Sequence, residues 1–269
     1  FGVQGLVLTP TRELAEQITN ELADFAKHKD LNVLAVYGGV SMYKQVSMLK
    51  EAEIVVGTPG RVLDHINQNT MDLTRVNTLV LDEADHLLKL GFLKDMKDLM
   101  RHIPKNRQTL FFSATIDKEI KKVAYDFVRN AIRIQISPKD PVSKNVTHAY
   151  LSVEMDDKRY FLENIVKENE GKKILVFVRT KVRAERVQKA MERVQISASV
   201  LHGGIEQLDR FSLLNQFKSG EVQLLIATDV AARGIDIPGV EIVINYDLPD
   251  QAENYVHRIG RTGRGREKG

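Results

Sequence analysis

The sequence has no cysteine among its 269 residues, so it builds neither a disulfide nor a thiolate metal centre. It has no run of about 18 apolar residues, which excludes a membrane-spanning helix. The opening Phe1-Gly2-Val3-Gln4-Gly5 carries no secretory signal pattern, and no low-complexity tract occurs. These absences fit a cytoplasmic location. A strong net charge is missing too: 39 Lys and Arg against 36 Asp and Glu leave +3, too mild to announce nucleic acid. The locally basic stretch from Arg258 to Lys268 points that way better than the total. What is present is apolar residue enough, 43%, to pack one large or two ordinary domains.

Short apolar, β-branched runs alternate with helix-length amphipathic segments. Residues 6–8, 33–37, 54–56, 78–81, 109–112 and 132–136 read as strands. Leu14, Ile18, Leu22 and Phe25 recur at helical spacing, as do Leu87, Leu88 and Phe92. Strands that are continuously apolar rather than alternating predict a sheet covered on both faces, the pattern of parallel βαβ units. The rhythm breaks at a charged segment with two prolines, Ser137 to Lys144, which reads as a linker. It then resumes, with strands at 174–178, 199–201, 224–227 and 241–245 and helices at 182–193 and 207–217. The fold class is therefore α/β in two tandem domains, residues 1–137 and 148–269, joined by 138–147. They are not obvious sequence repeats of each other.

Two strand ends share one design. One run leads into Thr9-Pro10-Thr11-Arg12, another through Gly57 into Thr58-Pro59-Gly60-Arg61. A Thr can cap the next helix, and Pro suits a first turn whose amides lack partners. Free amides there attract phosphate oxygens, and an Arg two residues after each Pro adds a charged fork. With Gly38-Gly39 after a third run, the alternatives are ordinary capping or a row of donors tracking a sugar-phosphate chain at the ligand-binding edge of the sheet.

Asp82-Glu83-Ala84-Asp85 directly follows the uncharged run 78–81. A carboxylate there can hold hydrated Mg2+ against a triphosphate, while its neighbour orients or deprotonates the attacking water. The plain alternative is an acidic first helical turn. Ser113-Ala114-Thr115 follows another strand, where its hydroxyls can bond Asp82 or Asp85 or simply form a turn. In the second half, Thr228 can meet a phosphate and Asp236 a ribose hydroxyl, with Gly234 permitting the bend between them. A local Arg233–Asp236 pair is the alternative. Gln207 and Arg210 are spaced to share one helix face, which can also be merely solvated. Arg261 and Arg264 flank Thr262-Gly263 beyond His257. They form either a basic surface or arginines that stabilise a transferring phosphoryl group, an effect worth ~10³–10⁵ in rate.

In this order, joined by Pro10-Thr11-Arg12-Glu13-Leu14-Ala15 and Val176-Phe177-Val178-Arg179-Thr180, the motifs span nearly the whole chain. The chain resembles the DEAD-box ATP-dependent RNA helicases, bacterial members most closely. The resemblance implies two RecA-like domains, each a mainly parallel sheet flanked by helices, that close around ATP and single-stranded RNA. It implies Asp82 and Glu83 for magnesium and water, and Asp85, Ser113, Thr115 and His257 for coupling. Asp236 would meet the ATP ribose, and Arg261 and Arg264 the γ-phosphate. It places RNA backbone on Pro10, Thr11, Arg12, Gly38, Gly39, Thr58, Pro59, Gly60 and Arg61 in the first domain, and on Arg179, Thr180, Gln207, Arg210 and Thr228 in the second. Duplex RNA would be opened locally by bending one strand; protein partners are not implied. The family's glycine-rich loop ending in Gly-Lys-Thr would precede Leu6, and a closing strand and helix would follow Arg264. The resemblance thus implies a fragment trimmed at both ends, impaired in ATP binding by itself. A non-enzymatic RNA clamp and a DNA-translocating relative are the competing readings.

Overall fold

The computed structural model describes residues 2–136, 145–232, 235, 237, 239–263 and 268–269. The chain divides into two compact units, Phe1–Ile134 and Gln135–Gly269.

In the first unit, β1 (Gly5–Leu8), β2 (Val33–Val36), β3 (Ile54–Gly57), β4 (Thr78–Leu81) and β5 (Gln108–Phe111) pair in parallel in the order β2-β3-β1-β4-β5. Successive side chains of a strand point to opposite faces, and along β1 and β3 both faces are buried. Leu6 and Leu8 enter one core while Val7 enters another; Val55 and Val56 divide the same way. One face is covered by α1 (Arg12–Ala26) through Ala15, Ile18 and Leu22. The other takes Leu49 of α2 (Met42–Leu49), Val62 and Ile66 of α3 (Pro59–Asn67) and Leu87 of α4 (Ala84–Lys89). It also takes Met96 and Leu99 of α5 (Leu93–Leu99), and Val123 and Phe127 of α6 (Lys118–Phe127).

The second unit repeats this plan. Its strands β6 (Ile174–Val178), β7 (Ala198–Leu201), β8 (Leu224–Thr228) and β9 (Ile242–Asn245) are parallel, in the order β7-β8-β6-β9. Ile174, Val176 and Val178 pack against α7 (Lys158–Glu168) and α8 (Lys181–Arg193). Leu175 and Phe177 pack on the other face against α9 (Gln207–Ser219) and α10 (Asp229–Ala232). A last helix, α11 (Ala252–Ile259), follows β9. In both units the first strand is internal, the second lies two places to one side, the third fills the gap, and the fourth crosses to the other side. Two unlike sequences therefore wind identically through four strands.

Three sequence expectations fail. Residues 132–136 pair with no strand among the described residues, and Ile132, Ile134 and Ile136 are 87%, 80% and 88% exposed. The spacing of Leu87, Leu88 and Phe92 belongs to two helices, because Gly91 takes φ +84° and ends the first. Phe25 is 78% exposed, and beyond Leu22 the buried position of α1 is Ala26 instead. Most of the expected linker, 137–144, lies outside the described residues.

Candidate functional site

In the first unit the sheet ladder continues past its strands and fixes the loops that carry the motifs. The Thr58 amide donates to Val36 O at 3.0 Å, Thr9 to Gly57 O at 2.9 Å, Asp82 to Leu8 O at 3.0 Å and Phe112 to Leu81 O at 2.8 Å. The loops after β1, β3, β4 and β5 are thus each hung from a neighbouring strand. Across the sheet the motif loops run Gly38, Thr58, Thr9, Asp82, Ser113. The order of strands reverses around β1 and β4, where open α/β sheets take their ligands.

At one end of this row two arginines meet a glycine turn. A Cβ on Gly38 would lie 3.6 Å from Arg12 Nη2 and 3.8 Å from Arg61 Nη2. Gly39 has φ +85°, and a Cβ there would stand 2.8 Å from Arg12 Cζ. That backbone favours glycine, and a side chain there would have to displace the Arg12 guanidinium. Arg61 Nη1 also donates to Val40 O at 3.2 Å and to Gln45 Oε1 at 3.1 Å.

The two Thr-Pro ends are not copies. Helix α1 begins at Arg12 with Thr11 as its cap, accepting from the Leu14 amide at 3.3 Å. Pro10 precedes that helix, and Thr9 Oγ1 donates to Thr11 O at 3.1 Å. At the second end Thr58 is the cap position and Pro59 begins the helix, yet the Thr58 hydroxyl makes no capping bond.

Toward the other end of the row lies the acidic run. Glu83 takes a left-handed backbone, φ +46° and ψ +51°, which turns the chain from β4 into α4. Its amide donates to Asp82 Oδ1 at 2.9 Å. Burial pushes the Asp82 carboxyl above its ordinary pKa; the Glu83 amide opposes the rise, and the Glu83 and Asp85 charges add to it. Asp85 is 4% exposed and accepts from Thr115 Oγ1 at 3.0 Å. Ser113 instead turns its hydroxyl to the carbonyl of Thr115. Of the two hydroxyls, then, only Thr115 meets the acidic run. His86 Nδ1 lies 3.2 Å from Glu83 Oε2.

Among the described residues no group of three or more His, Cys, Asp or Glu is placed to hold a metal ion. Asp82 offers one carboxylate, half-buried under like charge. That suits a cation that brings most of its ligands as water and phosphate oxygens.

In the second unit Arg179 is exposed, its Nη2 donating to Leu248 O at 3.3 Å and lying 3.3 Å from Asp250 Oδ1. Thr180 caps α8 by accepting from the Arg183 amide at 3.2 Å. Gln207 starts α9, and Arg210 on that helix donates to His202 O and Ala231 O at 3.3 and 3.4 Å. Thr228 ends β8. His257 lies half-buried in the last turn of α11. Arg261 Nη1 donates to Ile235 O at 2.6 Å, which ties residue 235 to the turn after α11. Asp236 and Arg264, with Arg233 and Gly234, lie outside the described residues.

Two residues that the motif reading passed over organise this half. Arg258 is 2% exposed; its Nε and Nη2 grip Asp229 at 2.6 and 2.7 Å. Its Nη1 reaches Asn245 Oδ1 and Asp247 O, and the guanidinium lies over the Phe177 ring. Asp247 is 7% exposed and accepts from the Arg179 amide at 3.1 Å and from Arg183 Nη2 at 3.2 Å. Its pKa is lowered: Arg183, the Arg179 amide and Lys158 outweigh the opposing effect of burial. The one sequence signal for Asp247 is an acidic residue just past a strand, as at Asp82.

A family model described as "DEAD/DEAH box helicase" matches residues 1–123, and one described as "Helicase conserved C-terminal domain" matches 157–266. The chain is 43% identical over 269 residues to the Bacillus cereus DEAD-box ATP-dependent RNA helicase CshA, covering all of this chain and 51% of that protein. It is 41% identical over 267 residues to Bacillus subtilis ATP-dependent RNA helicase DbpA, covering 99% of this chain and 56% of the relative. The chain thus spans about half the length of the curated relatives it matches. Among solved structures, S. cerevisiae Dbp5 bound to RNA and ADP BeF3 matches with TM-score 0.86 and 32% identity, over 100% of this chain and 70% of that one. A DEAD box protein from Methanococcus jannaschii matches at TM-score 0.54 and 38% identity, over 100% and 73%. With its acidic run at a strand tip and its two identically wound sheets, the chain belongs to the DEAD-box helicase family, as tandem RecA-like domains.

Proposed function

We propose that the chain is the working body of an ATP-dependent RNA helicase that grips the RNA backbone without reading bases. The observation that carries this reading is the row of loops hung from the first sheet. It sets Arg12, Gly38-Gly39 and Arg61 toward one end and Asp82, Glu83, Asp85 and Thr115 toward the other. The names of the relatives and the RNA-bound yeast structure support it.

Residues 1–137 act as the first helicase domain and 148–269 as the second, with 138–147 as the linker. Pro10, Thr11, Arg12, Gly38, Gly39 and Thr58 to Arg61 hold the sugar-phosphate chain from the first domain. Arg179, Thr180, Gln207, Arg210 and Thr228 hold it from the second. Asp82, with Glu83 beside it, holds Mg2+, which when bound neutralises charge on the ATP triphosphate. Glu83 accepts a proton from the attacking water, with His86 fixing its carboxylate. Asp236 meets the ribose, Arg261 and Arg264 the γ-phosphate, and His257 the acidic run as the domains close. Asp85, Ser113 and Thr115 pass the nucleotide state to the RNA row, and the bound strand is bent so that a duplex opens locally. The site of action is the cytoplasm.

The sequence contains no glycine-rich loop ending in Gly-Lys-Thr, so these 269 residues by themselves bind ATP weakly and turnover is tested on the whole protein. Phosphate release should rise on adding single-stranded RNA, respond less to DNA of the same sequence, and fall by about 10²–10⁴ in Glu83→Gln. Equal rates with and without RNA would overturn the reading. Tight, nucleotide-independent RNA binding with no turnover would replace it by a clamp.

A further inference from the structure

Behind Arg61 lies a buried chain of polar side chains that none of the motifs includes. Gln45, on α2, is 5% exposed, and His65, on α3, is fully buried. Gln45 Nε2 donates to Tyr37 O at 3.1 Å, the carbonyl just before Gly38. Gln45 Oε1 lies 3.1 Å from Arg61 Nη1 and 3.0 Å from His65 Nε2. The amide orientation is thereby fixed, because the opposite flip would set its NH2 against the guanidinium. His65 Nδ1 lies 2.8 Å from Thr70 Oγ1, which also lies 3.0 Å from His65 O, a carbonyl that the Thr70 amide reaches at 2.9 Å as well. With Nε2 donating to Gln45 Oε1, a neutral His65 accepts at Nδ1 from Thr70 Oγ1, whose proton then leaves His65 O to the Thr70 amide. Burial and the nearby Arg61 charge both lower the pKa of His65, in keeping with the neutral ring.

We propose that Gln45 and His65 are positioning residues, which hold Arg61 and the Gly38-Gly39 turn in register for a nucleic-acid phosphate. One amide joins the two halves of that grip: its nitrogen ties the chain entering the glycine turn, and its oxygen aims the guanidinium. His65 fixes the amide, and Thr70 fixes His65. The inference rests on the RNA reading of Arg61 and adds to it the groups that keep the long arginine in one rotamer.

The test is RNA affinity against salt, by fluorescence anisotropy of a labelled single-stranded oligonucleotide with the whole protein and a non-hydrolysable ATP analogue. Arg61→Ala should weaken binding about tenfold and lower the salt slope by about one, as for one lost phosphate contact. Gln45→Ala should reproduce at least half of both changes on the logarithmic scale, and the double variant should add little to Arg61→Ala. His65→Leu should follow Gln45→Ala. His65→Gln, which keeps an N–H for Gln45 Oε1, should recover most of the slope, which a general loss of packing would not do. Thermal melts identify the folded variants; if Gln45→Ala does not fold, the His65→Leu and His65→Gln pair decides alone. Should Arg61→Ala weaken binding while folded Gln45 and His65 variants keep the wild-type slope, the relay is wrong. Should Arg61→Ala itself change nothing, the RNA reading of that row falls, and the inference with it.

Discussion

Asp82 and Asp247 stand at comparable places, each just beyond the fourth strand of its unit, and their surroundings are opposite. Asp247 is neutralised by Arg183 and Lys158 and held by the Arg179 amide. Asp82 is pressed by burial and by its own acidic neighbours. The first carboxylate serves the fold; on the reading proposed above, the second serves a bound cation. The consequences for stability have opposite signs. The folded pKa of Asp247 lies below its unfolded value of about 4, so its contribution is present above that pH and lost as pH falls through the folded value. The folded pKa of Asp82 is raised, so its ionised form opposes folding at neutral pH, and that penalty vanishes on acidification. Asp247→Ala should therefore destabilise the chain by about 2–4 kcal/mol at pH 7, with less loss in acid. Asp82→Asn should stabilise it by about 0.5–2 kcal/mol at pH 7 and not below pH ~4. Thermal unfolding followed across pH checks both, and a stabilisation by Asp82→Asn that persists in acid would contradict this account. At this scale the sequence is legible where chemistry is concentrated in a run, as in Asp82 to Asp85. It is silent where partners lie far apart: Asp247 is 64 residues from Arg183, and Gln45 is 20 from His65. Nothing in their local pattern joins them.

Elements are set by which faces they cover. Strands β1, β3 and β6 are apolar throughout, and β4 and β8 but for one terminal Thr each, because helices lie on both sides, and that continuity is visible in sequence. Residues 132–136 carry an alternating Ile pattern just as suggestive, but periodicity cannot say whether a partner strand exists, and here none of the described residues pairs with them. The helix expected beyond Asp85 splits for another local reason, a left-handed glycine at 91. Gly57 shows a constraint of packing rather than of backbone. It closes β3 beneath α3, and a Cβ there would stand 2.5 Å from Val36 O and 2.8 Å from Val62 Cγ2. Since Val36 O also accepts the Thr58 amide, the intruding methyl group must displace the ladder that carries the motif loop. Gly57→Ala should cost about 1–3 kcal/mol, read from the shift of a urea midpoint at unchanged m-value. An unshifted midpoint would show that the sheet accommodates the methyl group freely.

The molecule as a whole is two similar machines in one chain. The alternation of runs made two α/β domains readable, yet their common winding was hidden, because a topology can be repeated without a repeated sequence. Each of the four buried clusters draws its residues from one unit alone. Cooperativity follows shared cores, so the two units should unfold separately. Calorimetry should return a van't Hoff enthalpy well below the calorimetric one; equality of the two would mean that the units melt together.

The four amides that suspend the motif loops are backbone groups, and no substitution short of proline deletes them. A lineage can thus exchange the residues at these sheet-edge positions, or lose them, while the scaffold keeps each address. Inactive relatives of this architecture would retain the full geometry of a working one, and their shape alone would not betray the lost chemistry.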